Sequence, residues 1–272
     1  MKPFSLTFKA GAGALESVRK HGLDLSSIGT IAGASGGAKW LVLSQLDRAI
    51  LQSVVPQLDG PVHLIGSSIG SWRFACYAQN DPLAAIERFE QAYLDQSYSE
   101  DPDIHEITAK AREILQIILG DNGVDEILQN PLFRMHVMAV RSRHVMGTEN
   151  RFLLAGALIS AALLNAVSRS TLGWFFERAL FHDERDAPPF FDVTGFPLQR
   201  VVLRQENVAD AIAATGSIPL VLSGVSDIPG AKTGVYRDGG IIDYHLDLPH
   251  SARERITLFP HFYGRIVPGW FD

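Results

Sequence analysis

The sequence has one cysteine, Cys76, in 272 residues. A single thiol closes no intramolecular disulfide and builds no thiolate metal site. It fits a reducing compartment, so a cytoplasmic location is expected. Basic charge is not in excess either. The 24 Lys and Arg stand against 30 Asp and Glu, a net charge of −6 that argues against nucleic acid as a partner, because phosphate contacts need a basic patch. No long apolar stretch follows the basic start, so no signal peptide is expected. The longest apolar run, Phe152 to Val167, is shorter than the ~20 residues a membrane span needs, and Ser160 and Asn165 interrupt it. It reads as a buried helix, with a lid or membrane-touching helix as the alternative. Internal repeats beyond two similar Gly-Ser elbows, low-complexity linkers and metal-ligand motifs are all missing, and no cofactor is expected. What is present is a 46% hydrophobic composition, enough for a folded core rather than wholesale disorder. The length allows one α/β domain.

Short apolar strands alternate with helices over the first third of the chain. Phe4 to Phe8 alternates like a strand and leads into the small-residue loop Ala10-Gly11-Ala12-Gly13, with a helix over Ala14 to Lys20. Ile28 to Ala32 reads as a second strand and Val62 to Ile65 as a third, each followed by a Gly-Ser turn and a helix. This alternation predicts a mainly parallel sheet with helices on both faces. The middle reads as mostly helical, over Asp81 to Gln96 and Ile107 to Leu119, with a strand at Phe133 to Val140. Arg151 to Leu180 reads as a helical hairpin. Leu198 to Leu203 and Ile256 to Phe262 read as further strands, with a short helix over Val208 to Thr215. Trp270 and Phe271 need a surface to pack on, which either the core or further chain supplies.

Two segments carry the pattern G-x-S-x-G between a strand and a helix. They are Gly33-Ala34-Ser35-Gly36-Gly37 and Gly66-Ser67-Ser68-Ile69-Gly70. In that context the glycines permit a sharp turn that projects a serine oxygen, and the helix start offers N–H groups to a developing oxyanion. Read alone, each is as readily a structural Gly-Ser turn. Lys9 to Gly13 offers further exposed backbone N–H groups. Asp238, in Arg237-Asp238-Gly239-Gly240, is the candidate base, and His245 and His261 follow it in the order an ordinary Ser-Asp-His triad needs.

Three blocks together resemble the patatin-like phospholipases. They are the small-residue loop Lys9 to Ala14, the elbow IAGASGGAKW, and the segment ADAIAATGSIPLVLSGVSDIPGAKTGVYRDGGIID from Ala209 to Asp243. The loop departs from the family's pattern in having two glycines rather than three and its basic residue before rather than after them. The resemblance implies a three-layer α/β/α fold with a helical insertion, here 81–189, in a single domain over 1–272 whose C-terminal completeness stays open. It implies a Ser-Asp dyad of Ser35 and Asp238, an oxyanion hole from Gly11, Ala12, Gly13 and Gly36, and hydrolysis of fatty-acyl lipid esters through an acyl-enzyme. Ser35 ranks first because it lies at the family's spacing from the small-residue loop, and Ser68 is the alternative nucleophile.

Two rival readings remain. One is an α/β-hydrolase esterase using Ser68, Asp238 and His245 or His261. The other is a non-catalytic lipid-binding protein. The expected partner is a lipid or acyl ester, with peripheral membrane contact as the accompanying expectation. No nucleic acid is expected, and the oligomeric state is open.

Overall fold

The computed structural model describes residues 6–249 and 255–272. Its elements run α1 (Ala12–His21), β1 (Ile28–Gly33), α2 (Ser44–Ala49), β2 (Val62–Ser67), α3 (Ile69–Tyr77), α4 (Pro82–Leu94), α5 (Ile104–Leu119), α6 (Gly123–Gln129), β3 (Phe133–Ser142), α7 (Arg151–Val167), α8 (Leu172–Phe175), β4 (Phe176–His182), β5 (Leu198–Val202), α9 (Val208–Thr215), β6 (Val225–Ser226), β7 (Val235–Arg237), α10 (Gly240–Asp243) and β8 (Ile256–Leu258).

The strands form one mixed, mostly parallel sheet in the order β5-β4-β3-β2-β1-β8. Parallel pairs join β1 to β2, β2 to β3, β1 to β8 and β4 to β5. The antiparallel exceptions are β3 with β4, β3 with β7, and the short β6–β7 ribbon. Successive residues of a strand face opposite sides of a sheet. Ile31, Leu64 and Val137 therefore face one layer, with Phe74 and Ile86 of α3 and α4, Ile114 of α5 and Ile212 of α9. Ala32, Ile65, Met138 and Leu180 face the other, under Phe190, Val193, Leu246 and Leu248. A third cluster joins Leu154, Ala157 and Ala161 of α7 to Ile241 and Ile242 of α10. This is the three-layer α/β fold with a mainly parallel sheet and flanking helices.

Three local expectations differ from the structure. The second limb of the expected hairpin over Arg151 to Leu180 is strand: α8 is one turn long and Phe176 opens β4. The run Phe176–Phe181 is fully buried between β3 and β5, a place where a continuous apolar strand suits better than a one-faced helix. The two charges within that run are paired there, Arg178 with Asp243 and Glu177 with Arg141 and Lys232. The stretch 81–189 thus supplies α4 to α8 and also the central strands β3 and β4. In the strand expected over Phe4 to Phe8, Phe4 and Ser5 lie outside the described residues and Leu6–Phe8 are irregular. The expected strand Ile256 to Phe262 stops at Leu258, before Pro260, which cannot donate to a ladder. Trp270 and Phe271 fold back onto the α7–α10 cluster.

Candidate active site

Strand β2 ends at Ser67, and helix α3 starts at Ile69. Ser68 alone makes the turn, at φ 53° and ψ −129°. A serine pays strain energy to sit there, so the surroundings must hold it. They do so through backbone approach and hydrogen bonds. A side chain on Gly66 would strike the backbone of Gly70 and Ser71, and one on Gly70 would strike the Gly33 carbonyl. The Ser68 N–H donates to Thr215 Oγ1 at 2.8 Å, and Thr215 Oγ1 donates onward to the Met138 carbonyl of β3. The turn after α9 also fixes the acid. The Asp238 N–H donates to the Ser217 carbonyl at 3.1 Å, and the Gly239 N–H to the Thr215 carbonyl at 3.3 Å. One buried turn, Thr215 to Ser217, therefore ties the serine of β2 to the aspartate that follows β7.

The outcome is a direct contact. Ser68 Oγ donates to Asp238 Oδ2 at 2.6 Å, and the Gly240 N–H donates to Asp238 Oδ1 at 2.7 Å. Both residues are buried. Burial pushes the Asp238 carboxyl up to about 7, against the opposing pull of its bonds from Ser68 and Gly240. Desolvation penalises the charged form, so this carboxyl is poised between acid and base near neutral pH.

Ser35 lies close by but is engaged differently. Its Oγ donates to Ser67 Oγ at 3.0 Å, and its N–H donates to the Tyr244 carbonyl at 2.9 Å. A side chain on Gly240 would come within 2.6 Å of Ser35 Oγ and 2.9 Å of Asp238 Oδ1, so both groups border the same spot. Gly36 follows at φ 156° and Gly37 at φ 54°, and a 3₁₀ helix opens at Gly37. The first N–H groups of that turn have no acceptor within their own helix.

Gly11, Ala12 and Gly13, expected as part of the oxyanion hole, lie in an exposed loop whose neighbour Lys9 donates from Nζ to the Gly264 carbonyl. The loop and α1 are exposed, α1 has no buried residue, and added side chains at Gly11 and Gly13 would meet nothing within 4 Å. His245 and His261 make no contact with the serine–aspartate pair. His245 Nδ1 accepts the Val267 N–H at 2.6 Å, and its ring meets that of His261 edge-on at 4.4 Å. Burial, with His261 and Lys39 nearby, pushes His245 down to about 4.

The segment Phe259 to Asp272 crosses this region. The Phe262 ring lies against Gly36, Tyr263 Oη accepts from Lys39 Nζ at 3.1 Å, and the Pro268 carbonyl accepts the Tyr244 N–H at 2.7 Å. The Trp270 N–H donates to the Gly240 carbonyl at 3.1 Å. A separate groove of about 550 Å³ between α4 and α5 has none of these residues in its lining.

The patatin-like phospholipase family model matches residues 32–245, which span both elbows, the turn after α9 and Asp238. The chain belongs to the patatin-like phospholipase family. Membership supports lipid acyl hydrolysis in general and a lipid substrate. The match begins at Ala32, so Gly11–Gly13 fall outside it and the Gly33–Gly37 loop falls within. Among solved structures, VipD from Legionella pneumophila is similar at 12% identity with a TM-score of 0.41. That likeness covers 86% of this chain and 49% of VipD, so the chain spans about half that protein's length. No curated protein matches the sequence.

Thr215 is the residue that sequence reasoning missed, while Ser67 belongs to the second elbow that the sequence already marked. Thr215 begins the Thr-Gly-Ser-Ile-Pro turn, a visible signal, but its bond to Ser68 spans 147 positions and is not legible locally.

Proposed function

We propose that the protein is a serine acyl hydrolase of fatty-acyl esters in phospholipids or related lipids, with Ser68 as nucleophile and Asp238 as its base. The observation that carries this reading is the 2.6 Å Ser68–Asp238 hydrogen bond at a strained strand-to-helix turn. Ser35, ranked first from the sequence, takes a supporting place beside it, since its hydroxyl bonds Ser67 and not the carboxylate.

Ser68 Oγ attacks the ester carbonyl carbon as its proton passes to Asp238 Oδ2. The N–H groups at Gly36 and Gly37, with the positive end of α3, face the developing oxyanion. The tetrahedral adduct collapses, the Ser68 acyl ester remains, and Asp238 returns the proton to the leaving alcohol. Water then attacks the acyl-enzyme, with Asp238 as base, and releases the fatty acid. A carboxylate is ordinarily a weak base towards an alcohol, and the buried setting of Asp238 raises its basicity. A lipid-ester substrate brings the enzyme to a lipid surface. No helix among the described residues is long and apolar enough to cross a membrane.

Purified wild type and Ser68→Ala, assayed on a panel of phospholipid and neutral lipid esters, test the reading. Wild-type release of fatty acid that disappears in Ser68→Ala supports it. Activity that survives in Ser68→Ala and disappears in Ser35→Ala overturns the choice of nucleophile. No hydrolysis in the wild type favours the lipid-binding alternative.

A further inference from the structure

Helix α7 is apolar on both sides. Leu154, Ala157 and Ala161 bury one side against Ile241 and Ile242 of α10, a few residues after Asp238. The other side carries Phe152, Ile159, Leu163 and Val167 at 82%, 62%, 67% and 85% exposure. Their spacing of 7, 4 and 4 keeps them on one face of a helix. With a rise of about 1.5 Å per residue, that face runs for roughly 22 Å. Trp174, 63% exposed, sits on α8, which packs against the C-terminal end of α7.

Charge is distributed to match. From Arg151 to Phe176 there is no acidic residue, although the whole chain is net acidic. The only charged residues in that stretch, Arg151 and Arg169, flank the helix, and α7 has no other charged side chain. Arg169 is paired with Asp272, while Arg151 is exposed. An apolar face with an arginine at its N-terminal end that is unpaired among the described residues, a paired one beyond its C-terminal end and an exposed indole on the adjoining helix is the pattern of a helix that lies in a lipid–water interface. The side chains enter the acyl boundary, the indole sits at headgroup level, and the unpaired Arg151 meets phosphates. An exposed apolar face this continuous marks an interaction site.

We propose that the outward face of α7, with Trp174, is the surface by which the protein docks on a phospholipid bilayer. This rests on the lipid-ester reading above and names the element that makes the contact. A lipid surface is favoured over a second copy of the chain because the face carries no acidic side chain that a second copy could set against the exposed Arg151, whereas a bilayer offers phosphates to it.

The test is co-sedimentation of the full chain with vesicles of phosphatidylcholine alone and of phosphatidylcholine with phosphatidylglycerol. It compares wild type, Ile159→Glu/Leu163→Glu, Arg151→Glu and Ser68→Ala. Turnover of a water-soluble short-chain ester is followed in parallel as a check on folding. Wild type is expected to pellet with vesicles, more so with the anionic ones. The double variant should lose at least tenfold in partitioning while keeping soluble-ester turnover. Arg151→Glu should lose mainly the anionic preference. Equal binding by wild type and the double variant overturns the proposal. So does a wild-type dimer that the double variant converts to monomer, measured by light scattering. Ser68→Ala should bind vesicles as wild type does, so a failed catalytic assignment and a failed docking surface give different results.

Discussion

Ser68 Oγ and Asp238 Oδ2, 170 positions apart in sequence, are joined by a buried 2.6 Å hydrogen bond with no histidine between them. In the proposed mechanism this pair divides the work of nucleophile and base between two residues. It also separates the roles of the two elbow serines. A fluorophosphonate probe should label wild type and Ser35→Ala and should fail to label Ser68→Ala, read by intact-protein mass spectrometry. Hydrolysis should fall by at least ~10³-fold in Ser68→Ala. It should stay within about tenfold of wild type in His245→Ala and His261→Ala.

The protonation of Asp238 sets a pH profile. The base works when deprotonated, so kcat/KM is expected to rise through pH about 7 and level off above it. The same burial acts on stability with the opposite sign. A carboxyl whose folded value is raised stabilises the fold below its unfolded value, and that contribution is lost as pH rises through the folded value. Asp238→Asn should therefore abolish turnover and raise Tm above pH 7 relative to wild type. Calorimetry at pH 5 and pH 8 checks the contrast, with the larger gain expected at pH 8.

Backbone strain at Ser68 gives a second stability signature. Glycine takes φ near +53° at no steric cost, while alanine does not. Ser68→Gly should be more stable than Ser68→Ala by about 1–2 kcal/mol in urea unfolding. Both variants should be inactive.

Helix α3 is anchored by a buried cluster in which Asp47 accepts from Arg73 Nε and Tyr77 Oη, each at 2.8 Å. Removing the carboxylate leaves the Arg73 charge buried without its partner. Asp47→Ala should destabilise by about 3–5 kcal/mol, seen as a lower urea midpoint. The replacement of Asp47 by Glu should be milder.

Phe262 lies against Gly36 and so covers the loop proposed above to hold the oxyanion. Phe262→Ala should raise kcat/KM several-fold for bulky acyl esters and less for small ones. Stopped-flow or continuous assays across acyl lengths read this directly. Gly36→Ala should do the reverse, because its side chain would strike the Phe262 ring at a φ of 156°.

Much of the framework follows from local pattern. The strands at Ile28 and Val62, the paired Gly-Ser turns, the helix at Val208 and the Asp-Gly-Gly of 238–240 are written in residue order because turns and amphipathic spacing are local properties. Strand β4 was not legible. Its apolar run suits a buried strand and a helix equally, and only its place between β3 and β5 separates the two.

The sequence by itself determined that a serine at a strand-to-helix elbow and an aspartate before two glycines were the candidate reacting groups. It offered two such elbows, and their local patterns are alike. Tertiary structure sets them apart through strand order. Asp238 follows β7, which pairs with β3, and the Thr215 bridge to Met138 is also on β3. Strand β2 lies beside β3 and delivers Ser68 to the carboxylate. Strand β1 lies one position further out, about 4.8 Å across the sheet, and leaves Ser35 bonded to Ser67 instead.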